Sequence, residues 1–121
     1  MTDITIYRGD ARSWQGTLTQ NGAMVALSAG DAVYFAVRRT YPAATVTSDA
    51  DAVIAKSTVG SGITFTSGTH VIFRIDFERA DTADLEPGRY LWEIKFKPNG
   101  LEAQAVGEGK FIINPDIVRA V

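Results

Sequence analysis

Between His70 and Lys97 the chain alternates twice, and that double alternation narrows the folds open to it. Val71, Phe73, Ile75 and Phe77 alternate with Ile72, Arg74 and Asp76, the period of a strand with one dry face. Tyr90, Trp92, Ile94 and Phe96 then alternate with Leu91, Glu93, Lys95 and Lys97. Between the two runs lie Glu78 to Leu85, too short and polar for a core helix, and the turn Glu86-Pro87-Gly88. Two strands rich in large aromatics, joined by an acidic corner, form the spine of an antiparallel β domain.

The rest of the chain repeats the pattern. Ile4 and Ile6 open a short strand that Arg8-Gly9-Asp10 breaks, and Trp14, Gly16 and Leu18 make the apolar face of a second. Asn21-Gly22 signals a tight turn, since both residues accept positive φ, and Ala23 to Leu27 returns as a strand. Val33, Phe35 and Val37 line another strand, ended by Tyr41-Pro42 because proline donates nothing to a ladder. The small, polar and acidic residues from Ala43 to Ala52 read as an exposed loop. Val53 to Lys56 and Ile63 to Thr66 are short strands separated by Gly60-Ser61-Gly62. Pro98-Asn99-Gly100 reads as a hairpin turn with Leu101 to Val106 returning, and Gly107-Glu108-Gly109 interrupts before a last strand, Phe111 to Ile113. About eight or nine short strands, with turn signals roughly every ten residues, predict an all-β, antiparallel β-sandwich rather than βαβ units. One short helical turn is expected near 81–85, with Asp81 as its cap.

Composition sets the outer bounds. A chain of 121 residues, 45% hydrophobic, is expected to be a single domain, 1–121, with one core and an extended tail over 114–121. A net charge of −2 offers no basic field for nucleic acid or an anionic membrane surface. Cysteine is absent, which removes disulfides, thiolate metal sites and cysteine nucleophiles together. The first residues have neither a basic n-region nor an apolar h-region, and no apolar run approaches the roughly 20 residues of a membrane span. Synthesis in the cytoplasm, without membrane insertion, is the expectation.

No group of residues declares a reaction. His70 is the single histidine and has no second histidine or cysteine to share a metal. The acids cluster at Asp49/Asp51 and at Asp76, Glu78, Asp81, Asp84 and Glu86, but their spacing fits no calcium loop, and a solvated corner accounts for them. Arg8-Gly9-Asp10 matches a three-residue integrin-recognition string and reads better as a turn. Gly60-Ser61-Gly62 lacks the following helix that a phosphate site requires. Tyr34, Tyr41 and Trp14 are the aromatics a carbohydrate-binding β-sandwich module would need on one exposed face. No catalytic, cofactor-binding or metal-binding residue is therefore assigned.

Four stretches carry a resemblance. They are Ile4 to Asp10; Val25 to Phe35; Gly62-Ile63-Thr64 followed by Phe73-Arg74-Ile75; and Asp81 to Tyr90 closing with Glu108-Gly109-Lys110-Phe111. In that order the chain resembles the immunoglobulin-like N-terminal domain of siphophage baseplate upper proteins and their prophage relatives. The resemblance implies an immunoglobulin-like sandwich and a non-enzymatic structural role in a phage or prophage tail, in the virion. Its partners would be other tail or baseplate proteins, with a homo-oligomer also allowed. With no stalk or receptor-binding region following the domain, a small scaffold or adaptor is expected. The contact segments expected are the loop from Thr40 to Ala52, with Tyr41, Pro42, Asp49 and Asp51, and the tail, with Pro115, Asp116 and Arg119.

Overall fold

A computed structural model describes residues 3–17, 19–20, 23–24, 31–40, 52–66, 72–98, 100, 102 and 104–115. Ten strands and one short helix follow in order. They are β1 (Ile4–Tyr7), β2 (Arg12–Thr17), β3 (Thr19–Gln20), β4 (Ala23–Met24), β5 (Ala32–Arg38), β6 (Ile54–Ser57), β7 (Ile63–Thr66), β8 (Ile72–Phe77), α1 (Arg79–Thr82), β9 (Gly88–Lys97) and β10 (Gln104–Asn114). Among the described residues no helix is long and apolar enough to cross a membrane.

The strands form a five-stranded sheet ordered β1-β10-β9-β5-β6, a three-stranded sheet ordered β2-β8-β7, and the small β3-β4 pair. The pair β3-β4 matches Thr19 with Met24 and Gln20 with Ala23, bracketing the expected Asn21-Gly22 turn, which lies outside the described residues. The two aromatic strands of the spine, β8 and β9, fall in different sheets, so the acidic corner between them is a crossover.

Alternation decides what each sheet buries. Tyr90, Trp92, Ile94 and Phe96 of β9 are all at most 5% exposed. They join Val33, Phe35 and Val37 of β5, Ile4 and Ile6 of β1, and Phe111 and Ile113 of β10. The three-stranded sheet contributes Ile63, Ile75 and Phe77 to the same cluster, with Trp14 packed against it. Rings bridge the two sheets. Phe77 meets Phe35 edge-on with centroids 5.7 Å apart, and lies 5.5 Å from Phe111. Trp14 of β2 meets Trp92 of β9 at 5.7 Å. Offset and tilted aromatic contacts of this kind stabilise by about 0.5–1.5 kcal/mol beyond the area they bury.

Four features depart from the sequence expectation. The β1 strand runs parallel to β10, with Ile4 opposite Phe111 and Ile6 opposite Ile113, so the larger sheet is mixed rather than antiparallel throughout. The helical turn comes earlier, at Arg79–Thr82, with Glu78 as N-cap. Asp81 sits in the third helical position and reaches back to accept the Glu78 N–H at 2.7 Å. Gly107-Glu108-Gly109 does not divide the last segment. It lies inside one long strand, β10, whose register shifts between Ala105 and Gly107. There Gly109 stands opposite Trp92, and Gly107 lies beside the Trp92 ring, where an added Cβ would make ordinary van der Waals contact at 3.6 Å. Finally, Asn114 is not part of a tail. It is the last residue of β10 and pairs with Tyr7.

Candidate functional site

The acidic corner is held by structural contacts. Asp81 Oδ2 accepts both the Glu78 N–H and an ion pair from Lys56 Nζ at 2.8 Å, with the two side chains only 10% and 20% exposed. Lys56 reaches it across Gly62, whose φ of +94° is left-handed and whose missing Cβ would collide with Lys56 Cδ. On the other side of α1, the fully buried Thr82 Oγ1 accepts the Gly9 N–H at 2.8 Å. The Arg8-Gly9-Asp10 turn is closed by Asp10 N–H on Tyr7 O and is thereby fastened to the corner.

Asp76 lies on the outer face of β8. Ser13 Oγ donates to Asp76 Oδ1 at 2.7 Å, and Arg74 Nε lies 3.0 Å from the same oxygen. The Ser13 hydrogen bond holds the Asp76 carboxyl below its ordinary value of 3.8; desolvation opposes it, and the Arg74 charge adds a lesser lowering. Among the described residues no group of three or more His, Cys, Asp or Glu is placed to hold a metal ion.

A groove of about 260 Å³ opens between β1 and β2, where the edges of the two sheets approach. Ile4, Ile6, Trp14 and Phe77 line it, with Asp3 and Arg12 among its polar walls. Arg12 Nη1 donates to Thr5 O at 3.3 Å and ties one edge to the other. The groove falls below the roughly 300–1,000 Å³ of ordinary small-ligand sites. It has room for a side chain of a docking partner.

The sequence-predicted contact residues are not brought together by what the structure describes. Tyr41, Pro42, Asp49, Asp51, Asp116 and Arg119 lie outside the described residues, as does His70, and Pro115 stands exposed immediately after β10. The aromatics of the carbohydrate reading do not share a face. Trp14 turns inward against Trp92, Tyr34 stands half-buried on the other face of β5, and Tyr41 lies outside the described residues.

Sequence reasoning passed over the outer face of the five-stranded sheet. Ala36, Leu91, Ile112 and Tyr7 fall there on β5, β9, β10 and β1 in turn. Ala36 is paired with Glu93, Leu91 with Lys110, and Ile112 with Thr5. Each apolar residue is therefore one outward-facing step from its neighbour's direct partner, and together they make a diagonal apolar stripe. Leu91, Ile112 and Ala36 are half-buried, and Tyr7 is 51% exposed. The available signal was Leu91, an apolar residue among the polar positions of its strand; the others join it only once the register is known.

No protein-family model matches the chain, and no curated protein matches it.

Proposed function

We propose that this chain is an immunoglobulin-like β-sandwich serving as a non-enzymatic structural protein of a phage or prophage tail, acting through protein–protein contacts. The observation that carries the reading is the corner before β9. Tyr90 Oη donates to Glu86 O at 2.7 Å, near the start of the strand that follows the crossover. A tyrosine in that place, bonded back to the backbone a few residues upstream, is a hallmark of immunoglobulin-like sandwiches. The same segment, Asp81 to Tyr90, is the most distinctive part of the resemblance to baseplate upper-protein domains.

Two further observations support the fold assignment. The orders β2-β8-β7 and β10-β9-β5 correspond to strands B-E-D and G-F-C of that architecture. Trp92 stands two residues after the corner tyrosine, where antibody domains carry the second cysteine of the disulfide between the sheets, and it meets Trp14 across the core. In a chain without cysteine, a pair of indoles takes that place.

The mechanism is mechanical. A rigid pair of sheets displays faces and edges that dock on neighbouring tail proteins, and at the acidic corner Asp81 is engaged by Lys56 and the Glu78 N–H in holding the scaffold. Peptide mass spectrometry of tail particles purified after prophage induction in the source bacterium tests this. Peptides of this chain in stoichiometric amounts are expected, and their absence from intact particles would refute the assignment.

A further inference from the structure

We infer that the open edge of β2 docks a second copy of this chain, β2 pairing antiparallel with β2 about a two-fold axis. The inference stands on the main-chain geometry of that edge and goes beyond the reading of a tail protein.

The ladder fixes which groups point outward. Asp76 gives its N–H to Gly62 O at 2.8 Å, so β8 turns its main chain toward β7 at this residue. Main-chain direction alternates along an antiparallel ladder, and Ile75 and Phe77 therefore face β2. Trp14 and Arg12 exchange hydrogen bonds with them. Ser13 and Gln15, opposite Asp76 and Arg74, turn their N–H and C=O groups away from the sheet. Among the described residues no strand pairs with that side of β2. In an immunoglobulin sandwich this is the place of strand A, beside strand B. Here the first strand, β1, pairs with β10 instead.

The nearby edge of β1 is guarded. Arg8 N–H bonds to Asn114 O, so the main-chain groups of Thr5 and Tyr7 face away from β10. Their carbonyls are occupied, Thr5 O by Arg12 Nη1 at 3.3 Å and Tyr7 O by the Asp10 N–H at 3.1 Å. The edge of β2 lacks such blunting. Its register with β8 runs without a bulge, it contains no proline, and Ser13 and Gln15 are neutral. Its one charged residue, Arg12, is drawn over to Thr5.

A second copy fits this edge. With the two-fold axis at Trp14, Ser13 of each copy exchanges both hydrogen bonds with Gln15 of the other, as an isologous contact requires. The half-buried Trp14 then meets its own counterpart in a non-hydrogen-bonded pair, where cross-strand side chains come closest. Arg12 comes opposite Gly16, which leaves the guanidinium room to keep Thr5 O. On the outer face of the sheet, Arg74 Nε and Asp76 Oδ1 pair at 3.0 Å within each copy. The seam is therefore neutral, and nothing along it calls for a charged partner strand. Main-chain bonds along one short edge make a small contact, so the dimer is reversible and concentration-dependent.

Sedimentation equilibrium of the whole chain up to about 1 mM tests the assignment, with near-ultraviolet circular dichroism confirming that each variant is folded. Wild type is expected to dimerise. Gln15→Pro removes an outward N–H at an edge position where a sheet tolerates proline, and is expected to raise the dimer Kd at least about tenfold. The chain has no cysteine, so the register is read separately by cross-linking. Under mild oxidation an equimolar mixture of Ser13→Cys and Gln15→Cys is expected to form a disulfide between the two variants, across the about 5.5 Å Cα spacing of a hydrogen-bonded pair. Each variant alone, its cysteines a diagonal step apart, is expected to give less. A wild-type chain monomeric at about 1 mM would overturn the inference. So would a folded Gln15→Pro variant that dimerises like wild type, or a mixture that cross-links no more than either variant alone. None of these outcomes bears on whether the chain is found in tail particles.

Discussion

Lys56 Nζ stands 2.8 Å from Asp81 Oδ2, joining the edge strand β6 to the crossover helix α1. Both side chains are mostly withdrawn from water, and the same oxygen receives the Glu78 N–H. Removing one partner leaves a largely buried charge. Lys56→Met is therefore expected to cost about 2–3 kcal/mol, somewhat less than for a fully buried pair. Asp81→Asn keeps an acceptor for Glu78 and isolates the charge, whereas Asp81→Ala should cost about 1 kcal/mol more by also losing the cap. Urea unfolding at constant m-value measures all three. Equal losses for asparagine and alanine would show that the cap contributes nothing.

The hydrogen bond from Tyr90 to Glu86 O is removed by Tyr90→Phe with the ring kept in place. A loss of about 1 kcal/mol is expected, with the larger part of the residue's contribution remaining in its buried ring. Tyr90→Ala should cost about 3–5 kcal/mol. A phenylalanine variant as stable as wild type would remove the corner's energetic role while leaving the strand order unchanged.

Trp14 and Trp92 form one contact across the core, 5.7 Å between centroids, and Trp92 also packs on Phe35 at 5.9 Å. Trp92→Ala is expected to lose about 3–5 kcal/mol, and the partly buried Trp14→Ala less. A double-mutant cycle between them should return a coupling of about 0.5–1.5 kcal/mol. Additive losses would mean that the rings share a place without sharing energy.

The depressed pKa of Asp76 sets a direction with pH. A carboxyl held below its unfolded value contributes stability that is present above that value and is lost as pH falls through the folded pKa. The window therefore lies below the ordinary value of 3.8, and wild type should lose stability on acidification there. Ser13→Ala removes the largest cause of the shift, and its loss of stability relative to wild type should shrink as the solution is made more acid. Denaturant midpoints taken above and below that value decide it. A Ser13→Ala penalty that does not change with pH would show that the hydrogen bond does not select the ionised carboxylate.

Much of the β architecture was legible in the sequence because burial alternates with period two. Ile75, Phe77, Tyr90, Trp92, Ile94 and Phe96 are inward-facing in the sequence and buried in the fold. What alternation leaves open is which strands meet. Nothing local to Ile4 and Ile6 specifies Phe111 and Ile113 as parallel neighbours, since that pairing depends on the whole sheet having formed. Gly107 and Gly109 were misleading for a related reason: glycine marks a turn when read along the chain, but here both are paired positions of one long strand, opposite Ile94 and Trp92. The outer stripe was hidden the same way, because Ala36, Leu91, Ile112 and Tyr7 are neighbours only after register is fixed. Asp81 was legible as a residue of the helix start, though it stands at the third helical position with Glu78, not Asp81, as the N-cap. Its link to Lys56, 25 positions earlier in the sequence, was not.

The parallel match of Ile4–Tyr7 with Phe111–Asn114 has a consequence for the order of events on the ribosome. Ile4 and Ile6, almost completely buried, have their neighbouring strand only in residues made more than a hundred positions later. A nascent chain lacking Phe111 to Asn114 leaves both isoleucines without their strand partner and the edge of β9 from Gly88 to Tyr90 unpaired. Because closing such distant contacts is slow, the last step of folding waits for Asn114 to leave the exit tunnel. Until then, the emerging chain exposes unpaired strand edges to its neighbours on the same messenger.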